Sequence, residues 1–318
     1  EQHHGVGQGR SVRSGHIGIA VQEEQPDRHP WHREVADRVG QRRPDGGTEP
    51  LTHAIPVPEP LHVSQQERLA EERLLDVVVV ASRPAETLAE RLATETDERT
   101  SAVLVSGVLY EDSRIVPGLD ELASVCDHRG AQLLVDVYHA FGVMRVPLPD
   151  TVWILGGGYK YLQLGEGNCF LRPAFTGWFA EFAELAAEKK PGTVEYPTGG
   201  MRFAGATYDP TSHYRATRVF DFFAERRLTP EALRENYVRQ TTLLADALGI
   251  RGRRDDFGGF LALEVPEAED VSRRLREEGV LTDSRGSWLR LGPAPYLTDD
   301  QLARAAELVA VAAGLTPE

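Results

Sequence analysis

Residues 133–140 read Leu-Leu-Val-Asp-Val-Tyr-His-Ala, an apolar run that leads into an aspartate. A short apolar run with polar residues at its ends is typical of a strand that is buried on both faces. Similar runs lie at 76–81, 102–110 and 152–155, and helices are predicted between them at 84–96 and 119–128 from the helical spacing of apolar residues. Strands that alternate with helices predict βαβ units and a mostly parallel sheet covered on both faces.

The pattern changes in the second half of the chain. Helices are predicted at 178–188, 215–226, 230–248, 268–278 and from 299 to about 313, and strands at 260–265 and 288–291. We therefore expect a large α/β domain over 59–228, with a first helix at 65–73, and a smaller α+β domain over 229–318.

The first 58 residues differ from the rest of the chain. Five of the ten histidines lie before residue 50, and 16–21 is the only strand-like piece there. A segment with so little apolar periodicity can hardly bury enough surface to offset the entropy lost on ordering. We predict an atypical segment, either a disordered arm or a sequence whose reading frame has been lost.

Composition limits the possible partners. The net charge of the 318 residues is −14 and the isoelectric point is about 5.2, which argues against nucleic acids and anionic membranes as partners. Two cysteines are too few for a disulfide framework. No apolar stretch is long enough for a membrane span and no signal segment opens the chain, so we expect a soluble cytoplasmic protein.

Lys160 is one of three lysines, against 32 arginines, and it lies in Gly156-Gly157-Gly158-Tyr159-Lys160-Tyr161. An arginine keeps its proton near neutral pH and forms no imine, whereas a lysine amine can do both. Lys160 is therefore a candidate covalent anchor for an aldehyde cofactor. The alternative is a surface lysine that follows a strand.

Asp136 and Lys160 both follow apolar strands, at the edge of an open α/β sheet where ligands bind. Pyridoxal phosphate needs such a pair, a lysine for its aldehyde and an acid for its ring nitrogen. Asp136 can also be a loop or cap carboxylate. His139 can orient Asp136, stack by the ring or be purely structural. Tyr159 can reach a phosphate, transfer a proton or pack, and the glycines before it would allow close approach of a ligand.

The same residues carry a family resemblance. The segments Val135-Asp136-x-x-His139-Ala140, Gly-Gly-Gly-Tyr159-Lys160-Tyr161-Leu-Gln and Gly165-Glu-Gly-Asn168 resemble kynureninase and its bacterial relatives. Thr176-Gly-Trp178-Phe and Arg290-Leu-Gly-Pro-Ala-Pro-Tyr296 are weaker matches in the same order. The resemblance covers about residues 59–318. It implies fold type I of the pyridoxal-phosphate-dependent transferases, the aspartate-aminotransferase fold, in the class V aminotransferase group.

The resemblance also implies roles for single residues. Lys160 would be the Schiff-base lysine and the base at Cα, Asp136 would pair with the pyridinium, and His139 would lie beside the ring. Tyr159 would contact the phosphate and donate a proton, and Trp178 and Thr207 would lie near the phosphate. Arg290 would bind the substrate α-carboxylate. It implies pyridoxal 5'-phosphate as the cofactor, no metal ion, and a homodimer.

The implied reaction is hydrolysis of the Cβ–Cγ bond of L-kynurenine to anthranilate and L-alanine, a step of tryptophan catabolism and NAD biosynthesis. Two alternatives stay open. The first is a class V aminotransferase or a related lyase, such as a cysteine desulfurase, although neither Cys126 nor Cys169 lies in a plausible mobile loop. The second is a truncated, non-catalytic relative, because residues 1–58 show no recognisable cup for the phosphate.

Overall fold

The computed structural model describes residues 17–22, 76–172, 209–251 and 254–315. The helices predicted at 65–73 and 178–188 lie outside these residues. Within the described ranges, no helix has the length and apolar character to cross a membrane.

A six-stranded sheet forms the first layer of the fold, with the strand order β2-β1-β3-β4-β5-β6. Its strands are β1 (Ile17–Gln22), β2 (Asp76–Ala81), β3 (Thr100–Ser106), β4 (Gln132–Asp136), β5 (Trp153–Gly157) and β6 (Cys169–Arg172). The first five pair in parallel and β6 pairs antiparallel with β5. The predicted mostly parallel sheet is confirmed, and β6 is an edge strand that the sequence analysis did not predict.

Strand β1 lies between β2 and β3 and pairs in parallel with both. It falls within the segment that was expected to be atypical, where 16–21 was the strand-like piece. The structure therefore includes 17–22 in the sheet, which differs from the expectation that the folded part begins near residue 59. The domain boundaries themselves stay a prediction.

Two helices pack against the sheet, one beside the edge strand β2 and one beside the central strand β4. Helix α1 (Leu88–Glu95) follows a 3-10 turn, and helix α2 (Leu119–Arg129) ends at Gly130, whose φ of 74° is left-handed as a helix-ending glycine requires. Their apolar faces pack on the strands, and Leu88, Leu92 and Val103 are each 0% exposed. The continuous apolar strands predicted this burial, because parallel strands are covered on both faces.

A second, antiparallel sheet has the order β7-β9-β8 and consists of β7 (Leu261–Glu264), β8 (Asp283–Arg285) and β9 (Trp288–Leu291). The accompanying helices are α3 (Thr211–Glu225), α4 (Pro230–Ala247), α5 (Ala268–Glu277) and α6 (Asp299–Ala313). Thr298 and Gln301 form a capping box at the start of α6. The helices predicted at 230–248, 268–278 and from 299 are confirmed, and the one predicted at 215–226 begins four residues earlier, as α3. The three-residue strand β8 was not predicted.

Side chains of the second sheet reach the first. The Arg290 guanidinium donates a hydrogen bond through Nη1 to the carbonyl of Tyr110, which follows β3. The Arg83 guanidinium, beyond β2, lies 4.7 Å from the centre of the Trp288 ring. These contacts bring β9 to the carboxyl end of the large sheet.

Candidate active site

The site lies where β4 and β5 end side by side. The two strands pair in parallel, with Asp136 opposite Leu155, so Asp136 and the residues after Gly157 emerge at the same edge of the sheet. Lys160 follows three residues after the end of β5. The prediction that Asp136 and Lys160 follow neighbouring strands is thus confirmed. This edge is the one at which open α/β sheets bind ligands.

Lys160 has a partly buried amine that contacts a histidine. Its Nζ lies 2.6 Å from Nε2 of His139. Burial lowers the pKa of Lys160 to about 8, and the positive charge of Arg290 acts in the same direction, while the charge of Asp136 opposes both. A lysine with this pKa has a sizeable neutral fraction near neutral pH, and the neutral amine is the nucleophilic form.

His139 is held beside Lys160 by aromatic packing. The edge of its ring contacts Phe260, with 5.6 Å between ring centres. Burial lowers its pKa well below the ordinary value, and the charges of Lys160 and Arg290 add to this effect, so the imidazole is neutral. Its Nδ1 is buried without a hydrogen-bond partner in the described part of the chain. Of the alternatives from the sequence, orienting Asp136, stacking by the ring or a purely structural role, the position beside a cofactor ring stays a prediction, and the structure adds the contact of Nε2 with the lysine.

The Asp136 carboxylate is positioned by the backbone of its own loop. Its Oδ1 accepts a hydrogen bond of 2.7 Å from the backbone N–H of Tyr138. The side chain is half-buried, and its negative charge acts to raise the pKa of Lys160. An ionised carboxylate at this place can pair with a cationic group of a ligand.

Tyr159 extends into solvent beside these groups and is 39% exposed. Its ring centre lies 5.7 Å from Lys160 Nζ and 5.7 Å from the ring centre of Tyr138. Burial raises the pKa of Tyr159, and nearby anionic groups, Glu166 first, raise it further. The hydroxyl therefore keeps its proton at neutral pH and can donate it.

The structure gives a different explanation for the three glycines before Tyr159 from the one that was predicted. A Cβ on Gly156 would lie 2.6 Å from Phe170, one on Gly157 would lie 2.5 Å from Tyr138, and one on Gly158 would lie 2.2 Å from Leu164. The expectation that these glycines leave room for a ligand is corrected, because the space beside each backbone is filled by the chain's own side chains. They allow β5 to pack tightly and thereby position the loop that carries Lys160.

Arg290 on β9 was predicted to bind a carboxylate, and in the structure it holds one from the protein itself. Its Nη2 is paired with Oδ2 of Asp283 on β8, and its guanidinium lies 5.2 Å from the centre of the Phe260 ring. Its side chain is only 12% exposed. Its charge is among those that lower the pKa of both Lys160 and His139, so the structure brings it to the same site.

Sequence reasoning missed several residues of the site. Asp283, Phe260, Tyr138 and Cys169 carry no motif of their own, and the Tyr138 hydroxyl donates a hydrogen bond of 3.0 Å to Sγ of Cys169. Cys169 begins β6 and Cys126 is buried in α2, so neither cysteine lies in a loop. Only the antiparallel return of β6, absent from the predicted pattern, brings Cys169 to this edge.

Trp178 and Thr207, the other two predicted site residues, lie outside the described residues. In the ranges that the structure covers, no group of three or more His, Cys, Asp or Glu side chains is arranged to hold a metal ion.

Comparison with known proteins gives relatives among kynureninases and aminotransferases. No family model matches the chain. A kynureninase from Bacillus cereus is 25% identical over 266 residues, which span 73% of this chain and 60% of that protein. The uncharacterized aminotransferase YcbU from Bacillus subtilis is 22% identical, over 70% of this chain and 62% of its own. The chain is kynureninase-like in sequence. It spans about 60% of the length of these curated relatives.

Solved structures show the fold. The cysteine desulfurase CsdA from Escherichia coli superposes with a TM-score of 0.63 at 14% identity, over 96% of this chain and 74% of that chain. A variant of the aspartate aminotransferase from Thermus thermophilus gives a TM-score of 0.54 at 17% identity, over 95% and 74% of the two chains. A C-DES variant with glycine covalently linked to its PLP cofactor gives 0.61 at 13% identity, over 94% and 75%. The predicted aspartate-aminotransferase fold is confirmed.

Proposed function

We propose that the chain is a pyridoxal-phosphate-dependent hydrolase of the kynureninase type, which cleaves the Cβ–Cγ bond of L-kynurenine to anthranilate and L-alanine. The observation that carries the proposal is the Lys160 amine, with a pKa of about 8, in contact with a neutral histidine and one strand away from Asp136. The similarity to kynureninases supports the choice of reaction within the fold. The reaction would belong to tryptophan catabolism and NAD biosynthesis.

The described residues fit pyridoxal phosphate. The cofactor's aldehyde requires a lysine that loses its proton readily, and burial gives Lys160 that property. Its ring nitrogen requires an ionised acid, and Asp136 is held at the next strand end by the N–H of Tyr138. The buried Nδ1 of His139, without a partner in the described residues, offers a polar contact to a ligand beside the lysine. Tyr159, and in our proposal Trp178 and Thr207, would contact the phosphate.

When bound, the cofactor supplies an aldehyde for the substrate amine and a ring that draws electrons from the substrate's Cα. Lys160 would bind the cofactor and, as a neutral amine, remove the proton from Cα. Neutral His139 can accept a hydrogen bond from the lysine, which favours one orientation of the amine. Asp136 would hold the positive charge of the ring nitrogen, and the glycine-packed end of β5 keeps the lysine loop in place.

The substrate's two ends would be bound by different parts of the fold. Arg290 would bind the α-carboxylate, since a guanidinium can hold a carboxylate through two parallel hydrogen bonds. The hydroxyl of a water molecule would add to the γ-carbonyl carbon. The Cβ–Cγ bond then breaks, and the γ carbon leaves as the carboxylate carbon of anthranilate. Cβ takes up a proton, and Tyr159, whose raised pKa keeps its hydroxyl protonated, would donate it.

The first test is cofactor binding. Purified protein mixed with pyridoxal phosphate should develop the visible absorbance of a lysine-bound cofactor, and Lys160→Ala should lose it. Lys189→Ala is the matched control, because it removes another of the three lysines. If the parent protein shows no such absorbance, the proposed cofactor is wrong.

The second test separates the reactions of this fold. L-kynurenine should be converted to anthranilate, which is followed by its fluorescence, with L-alanine formed in equal amount. Formation of a keto acid, or release of sulfide from cysteine, would instead favour the aminotransferase or the lyase. A protein that binds the cofactor but releases no product from any of these substrates would favour a non-catalytic relative.

We also propose that the protein acts as a homodimer, as the resemblance implies. Light scattering coupled to size-exclusion chromatography should give twice the chain mass of 35.1 kDa. A mass of one chain at micromolar concentration would contradict this part of the proposal.

A further inference from the structure

The Asp283 carboxylate lies between two arginines at the edge of the candidate site. Its Oδ2 is paired with Nη2 of Arg290, and its Oδ1 is 2.9 Å from Nη1 of Arg285. Asp283 and Arg290 are register partners on β8 and β9, so the strand pairing itself places the carboxylate on the guanidinium. The position that a ligand's carboxylate would take on Arg290 is therefore taken by a carboxylate of the chain.

The two partners of this ion pair differ in how firmly they are held. Arg290 is 12% exposed, donates to the Tyr110 carbonyl and packs on the Phe260 ring. The Asp283 side chain is 48% exposed and lies on a three-residue edge strand. Asp283 can turn into water, because about half of its side chain is already exposed and its strand lies at the edge of the sheet. Arg290 stays in place when its partner leaves.

We propose that Asp283 is an internal competitor for Arg290, which the α-carboxylate of an amino-acid ligand displaces on binding. The guanidinium then always faces a carboxylate, either that of Asp283 or that of the ligand, and is never left unpaired beside Lys160. Arg285, which is 46% exposed, retains the displaced Asp283 through Oδ1. This inference rests on the proposed function in taking the ligand to be an amino acid whose α-carboxylate binds Arg290.

The exchange sets the type of ligand that Arg290 accepts. A neutral group such as an amide or ester cannot replace the charge of Asp283, whereas a free carboxylate can, and with two parallel hydrogen bonds. Asp283 thus weakens the binding of carboxylate ligands to a similar degree and excludes from Arg290 those ligands that lack a carboxylate. Removal of its charge should strengthen carboxylate binding by about fivefold, the upper end of the range for an ion pair with one partner in solvent.

The test measures the accessibility of Arg290 directly and needs no cofactor. Phenylglyoxal modifies arginines, and peptide mass spectrometry gives the rate at Arg290. In Asp283→Asn, which keeps the side-chain oxygen that accepts from the Ser284 N–H, Arg290 should react several times faster than in the parent. L-alanine should protect Arg290 at about one-fifth of the concentration that the parent requires. Alaninamide, which lacks the carboxylate, should protect neither protein.

Asp270→Asn is the matched control. Asp270 pairs with Arg273 at 2.8 Å on the surface of α5, so its loss removes an equal charge away from the site. It should leave the rate and the protection at Arg290 as in the parent. Thermal melting of both variants checks folding, and Asp283→Ser serves as a second variant if the asparagine protein melts early.

The outcomes separate this inference from the proposed function. Faster modification and tighter alanine protection in Asp283→Asn support the inference even if the parent cleaves no kynurenine. If kynurenine is cleaved, the KM of Asp283→Asn should also fall by about fivefold. Equal modification rates and equal protection in Asp283→Asn and the parent would overturn the inference, and would leave the cofactor and reaction tests unaffected.

Discussion

Replacement of Lys160 by methionine should stabilise the cofactor-free protein at neutral pH. The lysine is partly buried, and burial lowers its pKa from the ordinary 10.5 to about 8. Below pH 8 the folded protein must therefore hold an ammonium group in a place that disfavours charge. Methionine has a similar length, carries no charge and suits a place beside the Tyr159 ring.

The size of the effect follows from the two pKa values. A tenfold change in proton affinity corresponds to about 1.4 kcal/mol, so the difference between about 8 and 10.5 corresponds to a destabilisation of about 3 kcal/mol. Methionine also removes the contact of 2.6 Å with His139, and the loss of one hydrogen bond costs about 1 kcal/mol. The net expectation is a gain of about 2 kcal/mol in the free energy of unfolding at pH 7.

The pH dependence gives the prediction its own control. The destabilisation by Lys160 is fully present below pH 8, decreases as the pH rises from 8 to 10.5, and is absent above that range. Urea unfolding should therefore show Lys160→Met about 2 kcal/mol more stable than the parent at pH 7, and this advantage should be lost as the pH rises toward 10.5, where only the cost of the missing hydrogen bond remains. Groups that titrate equally in both proteins cancel in this difference. A variant that is no more stable than the parent at pH 7, or a difference that does not change with pH, would refute the reasoning.

Three further predictions concern the same edge of the sheet. Asp136→Asn should lower the pKa of Lys160 below about 8, because the Asp136 carboxylate of the parent favours the ammonium form. The rate of Lys160 acylation, measured against pH, gives this pKa, and an unchanged or higher midpoint would contradict the expectation. Gly157→Ala should lower the free energy of unfolding by about 1–3 kcal/mol, because its Cβ would lie 2.5 Å from Tyr138. Gly292→Ala is its control, since the nearest atom would be 3.9 Å away, and equal urea midpoints for the two would be evidence against tight packing. Tyr159→Phe should slow anthranilate release about 10²–10⁴-fold, and an unchanged rate would show that another group donates the proton.

Much of the fold could be predicted because its signals are local. Each central strand is a continuous apolar run, and α2 ends at a glycine, so periodicity and capping were sufficient to predict both. The two strands that were missed have no such signal. Strand β8 is three residues long and polar, and β6 is an antiparallel edge strand of four residues. They are defined by their hydrogen bonds to a neighbouring strand, which the composition of so few residues does not show.

For the residues of the site, the sequence likewise indicated which residues are candidates, and the fold showed their contacts. The glycines before Tyr159 were visible in the sequence, but their reason was not, because Phe170 and Leu164 reach them only after β6 and the lysine loop have packed. Arg290 was expected as a carboxylate receptor, but its partner Asp283 depends on the β8–β9 register. The contact between Lys160 and His139 joins two loops that are 21 residues apart in the sequence.

The sequence by itself determined the parallel sheet, the places of Asp136 and Lys160 at neighbouring strand ends, and the likeness to kynureninase, because strand periodicity and motif spacing are properties of consecutive residues. Only the tertiary structure decided the state of the lysine. Its lowered pKa, its neutral histidine partner and the carboxylate already held by Arg290 come from burial and from charges brought together across both sheets. Desolvation and charge act through space, so a linear pattern does not contain them.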